Sequence, residues 1–177
     1  MLRKVLVALD GSDHAAKALD LAIDLANIYN AELVALSVAT DSPATDEERR
    51  LAQSEYRDEV QQALTAPSFA LGPRTTESNA AALVEMSTEV GLAVRRAIGR
   101  QVTVQAEMEA RKKGVVNVRV RVESGDPAST IVSVAAAEKP DMLVMGSRGL
   151  GDIQGLLMGS VSHKVSHLAP CTVVTVK

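Results

Sequence analysis

Short, uninterrupted apolar runs recur along this chain, and segments of helical periodicity separate them. Residues 5–9 are apolar and end at the turn cluster Asp10-Gly11-Ser12. Such a run is typical of a strand buried on both faces, as in the middle of a parallel sheet. From residue 13 to 29 the apolar positions follow helical spacing, and a second apolar run, Leu33-Val34-Ala35-Leu36, lies within residues 32–38. Strand, helix and strand in succession predict a βαβ unit with a right-handed crossover.

The C-terminal third repeats this alternation. Gly125-Asp126-Pro127 predicts a turn, a helix N-cap and the first residue of a helix that runs to Lys139. Three further segments are predicted as a buried strand, a short helix and a last strand: residues 142–145, 160–168 and 172–176. Residues 116–122 alternate valine with polar residues, which indicates a strand at a sheet edge. Five strands with interleaved helices predict one α/β domain over residues 1–177, a doubly wound parallel sheet with helices on both faces.

The middle of the chain predicts helices. Thr45 and Glu48 have the spacing of a capping box, which predicts a helix from there to about Leu64. Prolines bound residues 67–73 and end that helix, and we interpret residues 42–77 as a helical insertion.

A second helical period begins near Asn79 and continues towards Lys113. Gly91 and Gly99 weaken this helix, each by up to ~1 kcal/mol relative to alanine. Its apolar spacing predicts these inner positions: Leu83, Val90, Val94, Ala97, Ile98 and Met108.

Composition excludes several classes of function. The net charge of −3 argues against a general nucleic-acid binder, which needs clustered Lys and Arg. With one Phe, two Tyr and no Trp, base stacking on aromatic side chains is also disfavoured. No apolar run approaches the ~18 residues of a membrane span, and the first run stops at Asp10, too early for a signal peptide. The single cysteine, Cys171, indicates a reducing compartment, so we expect a cytoplasmic protein without nucleic-acid or membrane partners.

The strongest candidate motif is a glycine-rich loop. Gly146 and Gly149 follow a buried strand, and Gly159-Ser160 begins a helix after nine further residues. Glycine lets the main chain approach a ligand, and the N–H groups at a helix start favour an anion. The N–H groups of Gly159, Ser160 and Val161, with the Ser160 hydroxyl, therefore predict a phosphate cradle. The alternative is a flexible crossover in which Ser160 is a plain helix N-cap.

Asp10 is the second candidate, because it follows the first strand. Ligands of doubly wound sheets bind beyond the carboxyl ends of the strands, where the strand order reverses. If the first strand lies beside residues 142–145, Asp10 and Gly146 flank that crevice. The carboxylate would accept hydrogen bonds from ribose hydroxyls or an adenine amino group. The alternative is that Asp10 or Asp13 caps the next helix.

Residues 5–12, the turn at residues 125–127 and the signature G-x2-G-x9-G-[S/T] over residues 146–160 together resemble the universal stress protein family. The resemblance covers residues 1–40 and everything from about Val116 onward. It implies an adenine nucleotide alpha hydrolase-like fold with strand order 3-2-1-4-5. It also implies ATP binding, with ADP or AMP left open, because members with the complete signature bind ATP.

The resemblance also implies a role for each matching position. It assigns the nucleoside to strand ends: Ala8 and Asp10 line its pocket, Val38 meets adenine through its main chain, and Met145 and Gly146 lie by the ribose. It assigns the phosphates to the loop and helix start: Gly149, Gly159, Ser160 and Val161. Arg148 either neutralises phosphate charge or is solvated. Because main-chain donors alone cannot neutralise a triphosphate, we expect Mg²⁺ or Mn²⁺ to bind through the phosphates.

Other site chemistries have weaker support. The sequence lacks G-x4-G-K-[ST], and neither G-x-G-x-x-G nor S-G-G-x-D-S follows the first strand. His163 and His167 stand four residues apart, but two histidines are too few for a metal site, so we interpret them as surface residues. Cys171 enters an apolar strand, which indicates a buried, inert thiol.

The expected function is a nucleotide-dependent regulatory or sensor module in stress response. The alternatives are a slow ATPase or a nucleotidyl or phosphoryl transferase, and a structural dimerisation domain with an empty pocket. No general base near the phosphates is apparent beyond Asp10, so an enzyme is the less favoured interpretation. The last strand, residues 172–176, is apolar and lacks proline, so we expect this edge to pair with a second copy in a homodimer. The competing interpretation is that the insertion covers this edge.

Overall fold

The computed structural model describes residues 1–65, 78–150 and 158–177. The described strands form a five-stranded parallel sheet of order β3-β2-β1-β4-β5, which confirms the predicted fold class and topology. The strands are β1 (Lys4–Ala8), β2 (Glu32–Ala39), β3 (Val118–Ser124), β4 (Met142–Gly146) and β5 (Thr172–Val176). The order reverses between β1 and β4, so that is where a ligand site is expected in a sheet of this kind.

Helices cover both faces of this sheet. They are α1 (Asp13–Tyr29), α2 (Asp46–Ser54), α3 (Arg57–Leu64), α4 (Ser78–Lys112), α5 (Pro127–Glu138) and α6 (Ser160–Leu168). Helices α1 and α4 share an apolar core with one face, and α5 and α6 share a second core with the other. In the described part of the chain, no helix is long and apolar enough to cross a membrane.

Residues 42–65, the described part of the predicted insertion, differ from their prediction. The expected single helix to Leu64 is two helices, α2 and α3, that meet at Glu55 and Tyr56. The change of direction lets Ala52 of α2 and Val60 of α3 pack together against α4. Thr45 does form the predicted capping box with Glu48. The predicted break at residues 67–73 lies outside the described residues.

Small residues decide which face of α4 meets the sheet. A Cβ at Gly99 would lie 3.1 Å from the Ser37 Oγ and 3.2 Å from the Val122 Cγ1, so α4 approaches β2 and β3 closely there. The buried positions that continue this face are Thr103, Ala106 and Ala110.

This close approach corrects the predicted inner face of α4. Val94 and Ala97 are buried, and Val90 and Ile98 pack partly buried against the insertion, as predicted. Leu83 and Met108 are 62% and 68% exposed, so their prediction was wrong. The prediction placed large apolar side chains at helical spacing on the inner face of α4. In the structure, the small residues of α4 contact the sheet instead.

Charged side chains join the amino ends of the strands to α5. The Glu138 carboxylate lies 3.0 Å from the Lys4 Nζ, 2.6 Å from a guanidinium nitrogen of Arg119 and 2.9 Å from one of Arg121. The Glu138 side chain is 11% exposed. Hydrogen bonds from Arg119 above all, with those from Lys4 and Arg121, lower the pKa of Glu138 to about 2.

Candidate functional site

A cavity of about 490 Å³ opens at the carboxyl ends of the strands, beside β1 and β4. It occupies the point where the strand order reverses, as expected for a doubly wound sheet. The residues predicted to bind a nucleotide all line it: Ala8, Asp10, Val38, Met145, Gly146, Arg148, Gly149, Gly159, Ser160 and Val161. The fold therefore brings together residues that lie far apart in the chain.

One end of the cavity is mostly apolar. Leu36 and Val38 contribute from β2, Met145 from β4 and Ile131 from α5. Leu36 and Met145 are buried, and Val38 is half-buried. Such a wall accepts a flat apolar group against the end of β2.

The other end is formed where the glycine loop meets α6. The Ser147 carbonyl accepts hydrogen bonds from the Gly159 N–H at 2.8 Å and from the Ser162 Oγ at 2.7 Å. The Gly159 N–H is thus engaged within the protein, so its predicted use as an anion donor was wrong. The first N–H groups of a helix lack intrahelical partners, so the donors at this end begin with Ser160 and Val161.

Gly159 itself has no structural need to be glycine. Its φ is −77° and its ψ is 161°, an extended conformation open to other residues. A Cβ added there would have the Ser147 carbonyl oxygen as its nearest atom, at an ordinary 3.4 Å. Gly159 is also the N-cap of α6, which corrects the alternative that Ser160 is the cap. A Cβ there would also lie 3.5 Å from the Arg148 Cα and 3.7 Å from the Ser162 Oγ, so it would make ordinary contacts and no clash.

Gly146 and Gly149 are explained by close contacts within the protein. A Cβ at Gly146 would lie 2.9 Å from the Arg148 carbonyl oxygen and 2.9 Å from the His14 Cβ. A Cβ at Gly149 would collide with the Asp10 Oδ2. The loop therefore lies directly on the ends of β1 and α1.

Asp10 stands at the mouth of the cavity and does not cap α1. The N-cap is Ser12, whose Oγ accepts from the Ala15 N–H at 3.2 Å, so the capping alternative for Asp10 or Asp13 was wrong. The Asp10 Oδ1 accepts from the Ser12 N–H at 3.0 Å, which fixes the carboxylate beside Gly149. Arg148 lines the same wall and is partly buried, which excludes a fully solvated side chain.

Sequence reasoning missed an ion pair in the cavity wall. The Arg95 Nε lies 2.7 Å from the Glu48 Oε1, and both side chains are about 15% exposed, at 15% and 16%. The capping-box spacing had singled out Glu48, but as a helix cap. Only the packing of α2 on α4 brings Glu48 to Arg95, and no local pattern signals that packing.

The remaining candidates stay outside this site. The His163 and His167 rings lie 4.7 Å apart on α6, and both side chains are exposed. Over residues 1–65, 78–150 and 158–177, His, Cys, Asp and Glu form no group of three or more that could hold a metal ion. Burial raises the pKa of the Cys171 thiol, which disfavours the reactive thiolate.

Comparisons with known proteins by family model, sequence and structure all find universal stress proteins. A model of the universal stress protein family matches residues 1–177. Universal stress protein YxiE of Bacillus subtilis (strain 168) is 31% identical over 180 residues, covering 100% of each chain. The structure of universal stress protein UspA from Lactobacillus plantarum has a TM-score of 0.67 at 21% identity, covering 99% of this chain and 98% of that one. A universal stress protein in complex with cAMP has a TM-score of 0.61 at 24% identity, covering 99% and 97%.

Proposed function

Because the chain belongs to the universal stress protein family, we propose that its cavity binds an adenine nucleotide, foremost ATP. Nucleotide occupancy then sets the state of a regulatory or sensor module that acts in stress response. ADP and AMP fit the same chemistry. A cytoplasmic location is part of this proposal, since the lone Cys171 suits a reducing compartment.

The observation that carries this proposal is that neither backbone conformation nor a clash explains the glycine at position 159. A Cβ there would make only ordinary van der Waals contacts, yet the position is glycine, directly before a helix start. A helix N-terminus favours an anion, because its N–H groups are free and the macrodipole is positive there. A phosphate chain close to the main chain accounts for both features.

Residues at one end of the cavity then bind the phosphates, and residues at the other end bind the nucleoside. The N–H groups of Ser160 and Val161, with the Ser160 hydroxyl, hold phosphate oxygens, and Arg148 offsets their charge. Asp10 accepts hydrogen bonds from ribose hydroxyls. At the apolar end, the Val38 main chain faces adenine.

A divalent cation completes the proposal. Neutral N–H donors and one guanidinium offset only part of the charge of a triphosphate, so Mg²⁺ or Mn²⁺ is expected to bind through the phosphate oxygens. The choice of adenine is supported by the solved relative in complex with cAMP, which is also an adenine nucleotide.

The experiment starts with freshly purified protein. Denaturation followed by mass spectrometry is expected to release an adenine nucleotide from it. Protein stripped of ligand is expected to gain thermal stability with ATP and Mg²⁺, because a ligand that binds the native state raises its stability. No released nucleotide, together with no thermal shift at millimolar ATP, would overturn the proposal.

A further inference from the structure

We propose that Arg95 and Glu48 are positioning residues that fix the nucleoside end of the cavity and so control recognition of the base, while leaving phosphate binding unaffected. This inference rests on the proposed nucleotide function. Nothing in the glycine signature involves either residue, because Arg95 lies on α4 and Glu48 on α2 of the insertion.

Arg95 and Glu48 hold the segment that follows β2 in place through hydrogen bonds. Besides Glu48, Arg95 donates from its Nη1 to the carbonyl oxygens of Thr40 at 3.0 Å and Ser42 at 2.8 Å. The Glu48 Oε2 accepts from the Arg95 Nη2 at 2.8 Å and from the Thr45 N–H at 2.8 Å. One guanidinium thus holds residues 40–42 and the start of α2 together.

The same segment is confined from the side of α4. A Cβ at Gly91 would lie 3.0 Å from the Ala44 Cα and 3.0 Å from the Ser42 carbonyl oxygen. The Ala44 N–H donates to the Ser87 carbonyl at 3.0 Å. Residues 42–44 therefore lie flat on α4 because position 91 has no side chain.

Topology places this assembly at the nucleoside end. Thr40, Glu48 and Arg95 line the cavity with Val38 at the end of β2. The glycine loop and α6 follow β4, and β1 separates β4 from β2. A shift of residues 40–44 consequently moves the wall beside Val38 and leaves the start of α6 in place.

The chemistry of the pair explains why arginine is needed. A planar guanidinium has five N–H donors in a fixed fork, whereas the ammonium of lysine has three donors around a point charge. Arg95 binds one carboxylate and the carbonyl groups of Thr40, Ser42 and Pro43 at the same time. Positive charge alone does not reproduce that arrangement.

The test compares two ligands across a set of variants. Calorimetry measures the affinities for ATP and for inorganic tripolyphosphate, both with Mg²⁺, in wild type, Arg95→Met, Arg95→Lys, Glu48→Gln and Gly91→Ala. All four variants are expected to weaken ATP binding, Arg95→Met by at least about tenfold. Tripolyphosphate affinity is expected to stay within about twofold of wild type. If the contacts of Arg95 only stabilised the fold, the variants would lose affinity for ATP and for tripolyphosphate to the same extent.

Arg111→Met is the matched control. Arg111 also lies on α4, pairs with Glu107 at 2.8 Å and donates to the Val116 carbonyl at 3.3 Å, but it does not line the cavity. Both affinities are expected to be those of wild type. Circular dichroism melting confirms that each variant is folded, and Gly91→Ala tests the same segment if Arg95→Met does not fold.

The outcomes separate the two proposals. If wild type does not bind ATP, the proposed function fails, and this inference with it. If wild type binds ATP, and Arg95→Met and Gly91→Ala bind it equally well, this inference alone is overturned. Equal losses for ATP and tripolyphosphate, or full ATP affinity in Arg95→Lys, would also overturn it.

Discussion

Ser147 shows how one residue of the glycine loop organises its surroundings. Its N–H donates to the Val176 carbonyl of β5 at 2.7 Å, and its carbonyl accepts from Gly159 and from the Ser162 hydroxyl. The residue is 2% exposed. The start of α6 is therefore held to the sheet through the Ser147 main chain, and its next N–H groups keep a fixed orientation.

Ser160→Ala tests the residue that follows this junction. Ser160 lines the cavity and is not the N-cap of α6, so its hydroxyl is available to a ligand. Its loss is expected to weaken ATP binding by roughly 1 kcal/mol, or about fivefold, as for one hydrogen bond. Titration calorimetry measures the change.

Ser166→Ala is the control for that measurement. Its hydroxyl donates to the Ser162 carbonyl at 2.8 Å within the same helix, away from the cavity wall. ATP affinity is expected to be unchanged in this variant. Equal losses in Ser160→Ala and Ser166→Ala would mean that the effect arises from the helix and not from a contact with phosphate.

For individual residues, the sequence predicted those positions that depend on local geometry. The glycine spacing predicted a loop that does line the cavity, since a strand before it and a helix after it fix where the loop must lie. The bond between Gly159 and Ser147 was not predictable, because it depends on how the ends of a long loop meet. Arg95 and Glu48 are separated by much of the insertion, and their contact requires the tertiary structure.

Among the elements, the ion cluster around Glu138 gives a pH prediction. The pKa of Glu138 is lowered to about 2 in the folded protein, below its unfolded value. Its stabilising effect is therefore complete above the unfolded pKa and is lost as the pH falls through about 2. Glu138→Gln is expected to lose on the order of 2 kcal/mol at pH 7, as for hydrogen bonds to a charged group.

Denaturant unfolding at several pH values measures this effect. The difference between wild type and Glu138→Gln is expected to shrink steadily as the pH is lowered from 5 to about 2. Glu107→Gln is the control, because its partner Arg111 is 52% exposed. An exposed pair contributes about 0.2–1 kcal/mol. A pH-independent difference for Glu138→Gln would show that its charge does not provide the stability.

Elements were predictable where their pattern reflects burial on both faces. Strands β1, β2 and β4 follow continuous apolar runs, because a parallel sheet covered by helices buries both sides of each strand. The face of α4 was not predictable in full, since Gly99 and the small residues after it contact the sheet. The division of the insertion into α2 and α3 depends on Ala52 and Val60 sharing one partner helix.

For the whole molecule, strand order separates the two outer edges of the sheet. Helices α2 and α3 pack on α4, which lies over β2 and β3, and β5 is at the opposite edge. The described part of residues 42–77, the predicted insertion, therefore leaves the β5 edge available. We expect this edge to pair with a second copy, which would satisfy its outward N–H and C=O groups.

Thr175→Pro tests the dimer. The Val176 carbonyl accepts from the Ser147 N–H on the β4 side, so by alternation the Thr175 N–H points to the free edge. Proline there removes an outward donor, and an edge strand tolerates it. Light scattering is expected to find a dimer for wild type and a shift towards monomer for the variant. A wild-type monomer at micromolar concentration would contradict the proposed pairing.

The most direct test of nucleotide binding at the glycine cradle is calorimetry of wild type and Gly159→Val with ATP and Mg²⁺. The extended backbone at Gly159 and the absence of a clash for a Cβ there predict that the variant folds, with a somewhat lower melting temperature because valine is a poorer N-cap than glycine. Its branched side chain would fill the space proposed for the phosphates. Wild type is expected to bind ATP saturably, and the variant is expected not to bind it. Binding of equal affinity by a folded Gly159→Val protein would contradict it.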